Sequence, residues 1–316
     1  MSSDLPNASS SSISQSHDVD VIVPLDAVGE VPAVRKIGLD DLGYALKNGI
    51  DDFLAMPTHA VFLGVIYAVV GLLLARIAFG GNLFALLYPI ATGFALIGPF
   101  AAIGLYELSR RREAGLDTHW LHVFDVRHSP SFKSILILGA ALLAMFVLWI
   151  ALAQGIFIEH FGREYNATFS QFVNDALNTS RGHQMIVAGN LVGLAFAIVA
   201  MAVSVVAFPL LLDRNVGVAA AVATSIKAVL RNPVAMMAWG LIVAGLLLLG
   251  VIPLLMGLAV ILPILGHSTW HLYRRLVEAD TRERPQFKPR VRPPRYAADF
   301  PASLFVRSSV APPDAE

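Results

Sequence analysis

The residues best suited to chemistry in this chain are histidines. His267 and His271 lie four apart, so on a helix they share one face a single turn apart. That spacing suits chelation of a metal ion or axial ligation of haem, since neutral imidazole is a good donor to both. His59, His119, His122 and His128 also sit near the basic margins of apolar segments. The competing reading is interfacial, with each imidazole bonding loop carbonyls and lipid headgroups. Little else suggests a reaction. The sequence has no phosphate loop, dinucleotide fingerprint or nucleophile elbow. With no cysteine it has no disulfide, thiolate metal site or cysteine nucleophile. No enzyme activity is expected, and no cofactor beyond the alternative of a metal or haem at His267 and His271.

The elements that hold these residues are membrane helices. Of the 316 residues, 56% are hydrophobic and 15% charged, and the mean hydropathy is +0.66. A soluble protein carries about a quarter charged residues. The apolar residues fall in blocks long enough for a bilayer, which takes about 20 residues of helix. Spans are expected at about 58–78, 84–106, 134–158, 185–212, 234–250 and 253–272. The last two come from one apolar run of about 50 Å as a single helix, too long for a hydrocarbon core of about 30 Å. A turn at Gly250–Pro253 divides it.

Two stretches repeat. In residues 89–111 and 253–275, Pro89, Gly93, Pro99, Leu108, Arg110 and Arg111 match Pro253, Gly257, Pro263, Leu272, Arg274 and Arg275 at a constant offset. Glu107 stands where His271 stands in the second copy. Pro57, Gly64, Ile66 and Ala68 likewise match Pro233, Gly240, Ile242 and Ala244. Each hairpin reads as surface helix, proline, outgoing span, returning span and basic stop, and the middle hairpin follows this loosely. The repeats share one orientation and are therefore parallel. Residues 37–56 and 216–231 are the amphipathic surface helices, the first with Leu39, Leu42, Leu46, Ile50 and Phe53 at helical spacing.

Charge sets the orientation. With both termini cytoplasmic, 20 of the 23 lysines and arginines fall inside, and only Arg76, Arg163 and Arg181 outside. The positive-inside rule supports this arrangement. Residues 1–34 are serine-rich and acidic, without the pattern of a signal peptide, and are expected to be disordered. Residues 279–316 form a proline- and arginine-rich tail, expected to be unfolded and attracted to anionic lipid.

Several segments carry a family likeness: Lys36 to Leu42 (KIGLDDL), Asp51 to His59 (DDFLAMPTH), Gly98-Pro-Phe, Gly104 to Arg112 (GLYELSRRR), and Gly266 to Arg275 (GHSTWHLYRR). Over residues 35–278 the chain resembles a bacterial family of predicted integral membrane proteins, domain of unknown function 2189. The resemblance implies an inner-membrane protein without an established activity, and some members are labelled as cytochrome c oxidase subunits. It singles out Asp51, Asp52, Pro57, His59, Pro99, Glu107, Arg110 and Arg111 as motif or interfacial residues.

The fold class expected is therefore an all-α membrane protein of six spans in hairpin repeats with cytoplasmic surface helices. No Asp, Glu, Lys or Arg falls at an expected midplane, where ion-coupled transporters hold such groups. The leading function is a non-enzymatic scaffold or envelope-associated protein. Its partners are the bilayer, anionic lipid through the tail, and a second copy or a membrane complex, with no role for nucleic acid. The alternatives are a small-molecule or lipid transporter and a redox-complex accessory protein using the histidines.

Overall fold

The computed structural model describes residues 22, 24–56, 76, 84–253 and 256–282. Helix accounts for 77% of the structure. The first surface helix, α1 (Leu39–Ala55), starts at Gly38, where the Asp41 carboxylate accepts the Gly38 amide. Helices α2 (Leu87–Ala101) and α3 (Ile103–Glu113) form one rod broken at Ala102, three residues after Pro99. A proline removes an intrahelical hydrogen bond and so weakens the turn around it. Irregular 3₁₀ turns at Trp120–His128 lead into the long α4 (Phe132–Phe161). A short α5 (Phe169–Asn178) precedes α6 (Ser180–Ser204), which bends into α7 (Ala207–Asp213). The second surface helix, α8 (Val218–Arg231), meets α9 (Pro233–Val251), with Pro233 at the first helical position, where no backbone donor is needed. The last helix is α10 (Leu258–Leu276).

Among the described residues, four helical rods are long and apolar enough to cross a membrane: Leu87–Glu113, Phe132–Phe161, Ser180–Asp213 and Pro233–Val251. Only 22–33% of the residues in the most apolar stretch of each are buried inside the protein. The rest, including Leu143, Leu191, Ile198 and Leu241, face outward. Apolar surface on this scale needs lipid. These rods match four of the six expected spans. The expected span at 58–78 lies outside the described residues, apart from Arg76. The sixth, at 253–272, is realised as α10 but is not among the four. His267, Ser268, Thr269 and His271 lower its apolarity, and the protein buries the first two. The division of the last apolar run is observed: α9 ends at Val251 and the chain turns back, so close that a Cβ on Gly257 would lie 2.9 Å from the Gly250 backbone.

Three surface elements close the described helices into a ring. The 3₁₀ segment packs on α3. Helix α8 packs on α6 and α7, and α1 packs on α10. Two short pairings seal the seam: strand β1 (Leu25–Asp26) runs parallel to β2 (Arg214–Asn215), and Val34 bridges to Val277. The expected N-terminal tail thus ends earlier than residue 34. Ala27 and Val34 are buried in the main core, because the apolar residues after the serine-rich stretch supply an edge that completes the ring. The core itself is concentrated at the basic end, around Tyr106, Phe208, Leu211, Met236, Trp239, Trp270 and Leu276. A smaller cluster of Leu96, Trp149, Ala153 and Ala200 joins α2, α4 and α6 further along the bundle.

Candidate functional site

At the basic end α1 and α10 run antiparallel in intimate contact. A Cβ placed on Gly49 would lie 2.6 Å from the Ser268 amide nitrogen, so only glycine lets the two backbones approach this closely. That approach brings Asp52, on the same face as Leu42, Ala45 and Gly49, beneath the protein surface. The Asp52 carboxylate, 3% exposed, accepts from three side chains on two helices. The Ser109 hydroxyl of α3 donates to Oδ2 at 2.5 Å. His271 Nε2 of α10 lies 2.9 Å from the same oxygen. Arg112 pairs with Oδ1. Ser109 Oγ also lies 2.7 Å from His267 Nδ1, extending the network to a fully buried imidazole. Burial raises the pKa of Asp52, but the hydrogen bonds from His271, Ser109 and Arg112 together outweigh it and hold the carboxyl below its ordinary value. At the other end of the α1–α10 contact, Arg275 donates from Nε to Asp41 at 2.7 Å and stacks over the Tyr44 ring.

A second network lies across the α7–α10 contact. The buried Tyr273 hydroxyl donates to Asp213 Oδ2 at 2.7 Å. Arg214 Nε and Arg274 Nη1 each stand 3.6 Å from that oxygen. Glu113, at the end of α3, accepts from Trp270 Nε1 and Arg274 Nε, both at 3.0 Å. A third network fixes the 3₁₀ segment. Arg111, fully buried, donates to the Asp117 carbonyl at 2.6 Å and faces Asp125 at 3.8 Å. His122 sits between Asp125 Oδ2, at 2.5 Å from Nδ1, and Asp117 Oδ2, at 3.1 Å from Nε2. Burial opposes ionisation of Asp117, but the His122 hydrogen bond wins and lowers its pKa.

The residues singled out in the sequence separate in space. Asp52, His267 and His271 meet in one network, whereas Asp51 is exposed. Glu107 is buried and pairs with Arg110 at 2.5 Å. Arg110 also donates to the Leu212 carbonyl, tying α3 to α7. Arg111 belongs to the 3₁₀ network, and Pro99 precedes the break in the α2–α3 rod. Pro57 and His59 lie outside the described residues. His119 and His128 are exposed. The nitrogens of His267 and His271 that face each other's surroundings are spent on Ser109 and Asp52. Among the described residues no three His, Cys, Asp or Glu side chains are arranged to hold a metal ion. Sequence reasoning missed Ser109, Asp125, Asp213 and Tyr273. One signal was present: Ser109 and Tyr273 occupy matching repeat positions, each just before the paired arginines.

The opposite end is different in kind. A hollow of about 500 Å³ is lined chiefly by apolar and aromatic groups from α2, α4, α5 and α6, including Tyr88, Trp149, Phe157, Phe172 and Met185. Its polar side chains are satisfied locally: the Tyr88 hydroxyl donates to Asn190 Oδ1 at 2.7 Å, and Trp149 Nε1 to the Pro89 carbonyl at 2.8 Å. Beside it Phe157, Phe161, Tyr165 and Phe172 form an aromatic group. Desolvation and the acceptor Asp175 push the Tyr165 hydroxyl up to about 12.

Residues 87–213 match the model of the DUF2189 family, described as a predicted integral membrane protein. The matched region holds the Gly98-Pro-Phe and Gly104 to Arg112 segments, while α1 and α10 lie beyond it. No curated protein and no solved structure matches the chain. The protein is an integral membrane protein carrying several apolar helices.

Proposed function

With an integral membrane protein of the DUF2189 type as premise, we propose that this chain is a non-enzymatic scaffold of the bacterial inner membrane, acting through lipid or a partner protein. Both termini are cytoplasmic in this reading, because the basic end carries most of the positive charge. The observation that carries it is the locking of Asp52 by donors from α1's neighbours α3 and α10. A transport cycle needs ionisable groups that change partners near the middle of the membrane. Here the buried carboxylates Asp52, Glu107, Asp125 and Asp213 all sit at the basic end and each already faces a donor on the protein. Such a network is suited to holding helices in register.

The test is reconstitution. Purified protein in proteoliposomes is expected to show no solute accumulation driven by a proton or sodium gradient. Accumulation abolished by an uncoupler overturns the scaffold reading in favour of the transporter, for which the aromatic hollow would be the first place to look. The redox alternative predicts near-stoichiometric metal and a visible spectrum, both lost in His267→Ala or His271→Ala. In the scaffold reading these imidazoles serve the Asp52 network, and elemental analysis finds no stoichiometric metal.

A further inference from the structure

The three surface elements that close the ring are not chemically alike. Helix α1 is acidic, with Asp40, Asp41 and Asp51 near its outer side. The 3₁₀ segment buries Asp125 and His122 in the Arg111 network and leaves Arg127 exposed. Helix α8 exposes two cations, Lys227 and Arg231, and, unlike the other two, has no carboxylate anywhere along its length. The two are four residues apart and so lie on one face, a turn from each other. With Ala223, Ile226 and Leu230 they line a shallow open groove. Leu230 is 74% exposed, although it is fully apolar.

The rest of α8 leaves this face no other direction. Its inner side is a row of small residues, Ala220, Ala221, Thr224, Ser225 and Ala228, buried against α6 and α7. Ser225 Oγ accepts the Val206 amide at 3.2 Å, which fixes the helix about its axis. At its C-terminal end Asn232 accepts the Ile37 amide at 2.9 Å and donates to the Arg35 carbonyl at 3.0 Å. Exposed apolar residues also follow directly in the membrane span: after the break at Asn232, Ile226 and Leu230 are succeeded by Val234, Met237 and Leu241, all outward. What covers α9 therefore also covers the flank of α8, and that is lipid.

We propose that the outer face of α8 binds the headgroup of an anionic phospholipid in the leaflet at the basic end. Lys227 and Arg231 hold the phosphate and any further negative charge of the headgroup. Ile226 and Leu230 lie along the start of the acyl chains. Lysine contributes a mobile point charge and arginine a planar fork that grips phosphate with two donors. A zwitterionic lipid offers the same phosphate beside its own cation, so the surface discriminates by net charge. The assignment rests on the membrane reading of α9 and is independent of the scaffold role, which the transport assay tests separately.

The experiment uses the full chain reconstituted with spin-labelled phosphatidylglycerol or phosphatidylcholine in bilayers of unlabelled phosphatidylcholine. The motionally restricted fraction of label reports lipid held at the protein surface. Wild type is expected to prefer phosphatidylglycerol by at least about threefold, and a Lys227→Gln, Arg231→Gln double variant to lose most of that preference. Lys227→Arg with Arg231→Lys retains it, and Lys47→Gln on α1 leaves it unchanged. The basic residues after Arg282 are common to all these proteins and cancel in the comparison. Thermal unfolding of the double variant should match wild type, because both side chains point outward. Equal preference in wild type and double variant overturns the proposal. Displacement of the label by soluble glycerophosphate also overturns it, since the surface would then be a site for free phosphate.

Discussion

Ser109 and Tyr273 stand at matching positions in the first and last repeats, and each donates its hydroxyl to a buried carboxylate brought by another segment. Ser109 meets Asp52 of α1 at 2.5 Å, and Tyr273 meets Asp213 of α7 at 2.7 Å. The sequence repeat is thus also a repeat of contact, because the same position fastens α3 and α10 each to a neighbouring helix.

Removing either hydroxyl leaves a buried carboxylate short of a donor, at a cost of about 1–3 kcal/mol. Ser109→Ala and Tyr273→Phe should each lower the unfolding midpoint in mild detergent. The two networks share no hydrogen-bonded pair, so the double variant should lose the sum to within about 0.5 kcal/mol. A strongly non-additive result would mean that the two carboxylates belong to one coupled unit.

Gly49 gives a steric test. An alanine there would press its Cβ into the Ser268 backbone and force α1 from α10, costing about 1–3 kcal/mol. Gly43, on the same helix, has nothing within 4 Å of the equivalent position. Gly43→Ala should therefore be neutral or stabilising by up to about 1 kcal/mol. Comparable losses in both variants would refute the close α1–α10 contact.

The Asp52 network should also show in the pH dependence of stability. Its pKa in the folded protein is below the ordinary value, so its contribution is fully present above about pH 4 and is lost as pH falls through that value and below. Unfolding midpoints of wild type should therefore drop more steeply than those of Asp52→Asn as acid is added. At neutral pH the asparagine variant should be less stable by about 2–3 kcal/mol, because Arg112 and His271 lose their counter-charge. Parallel curves for the two proteins would remove Asp52 from any acid-sensitive role.

Orientation is open to direct labelling, since the chain has no cysteine of its own. Ala114 ends α3 at the basic end, and Asn174 lies on α5 at the other, both exposed. With the basic end inside, an impermeant thiol reagent applied to intact spheroplasts should modify Asn174→Cys and spare Ala114→Cys. The reverse pattern would invert the proposed topology.

Much of this architecture was legible because bilayer thickness is a coarse ruler. The turn between α9 and α10 followed from length alone, and the positions of α4 and α6 from apolar runs. Helix α5 was not seen, although Thr168 and Gln171 form a capping box that marks its start. Its polar surroundings made the segment read as a loop. The face of α1 was harder still. Of its expected apolar stripe Leu39 and Ile50 are exposed, while Ala45, Gly49 and Asp52 turn inward beside Leu42. In a membrane the surroundings are as apolar as the core, so apolarity no longer identifies the buried side. What does identify it is small size and a polar group with partners, and those partners lay on α3 and α10, far away in the chain.

The closed ring sets an order on the making of the protein. Helix α1 leaves the ribosome more than 200 residues before α10, the surface it must cover. Until then Asp52 has neither His271 nor the shelter of Ser268, and α1 must wait with its inner face unclaimed. Chains whose contacts link distant segments assemble late. A chain cut short before α10 would therefore also lose the mooring of α1, so an incomplete product advertises itself far from the cut as well as at it.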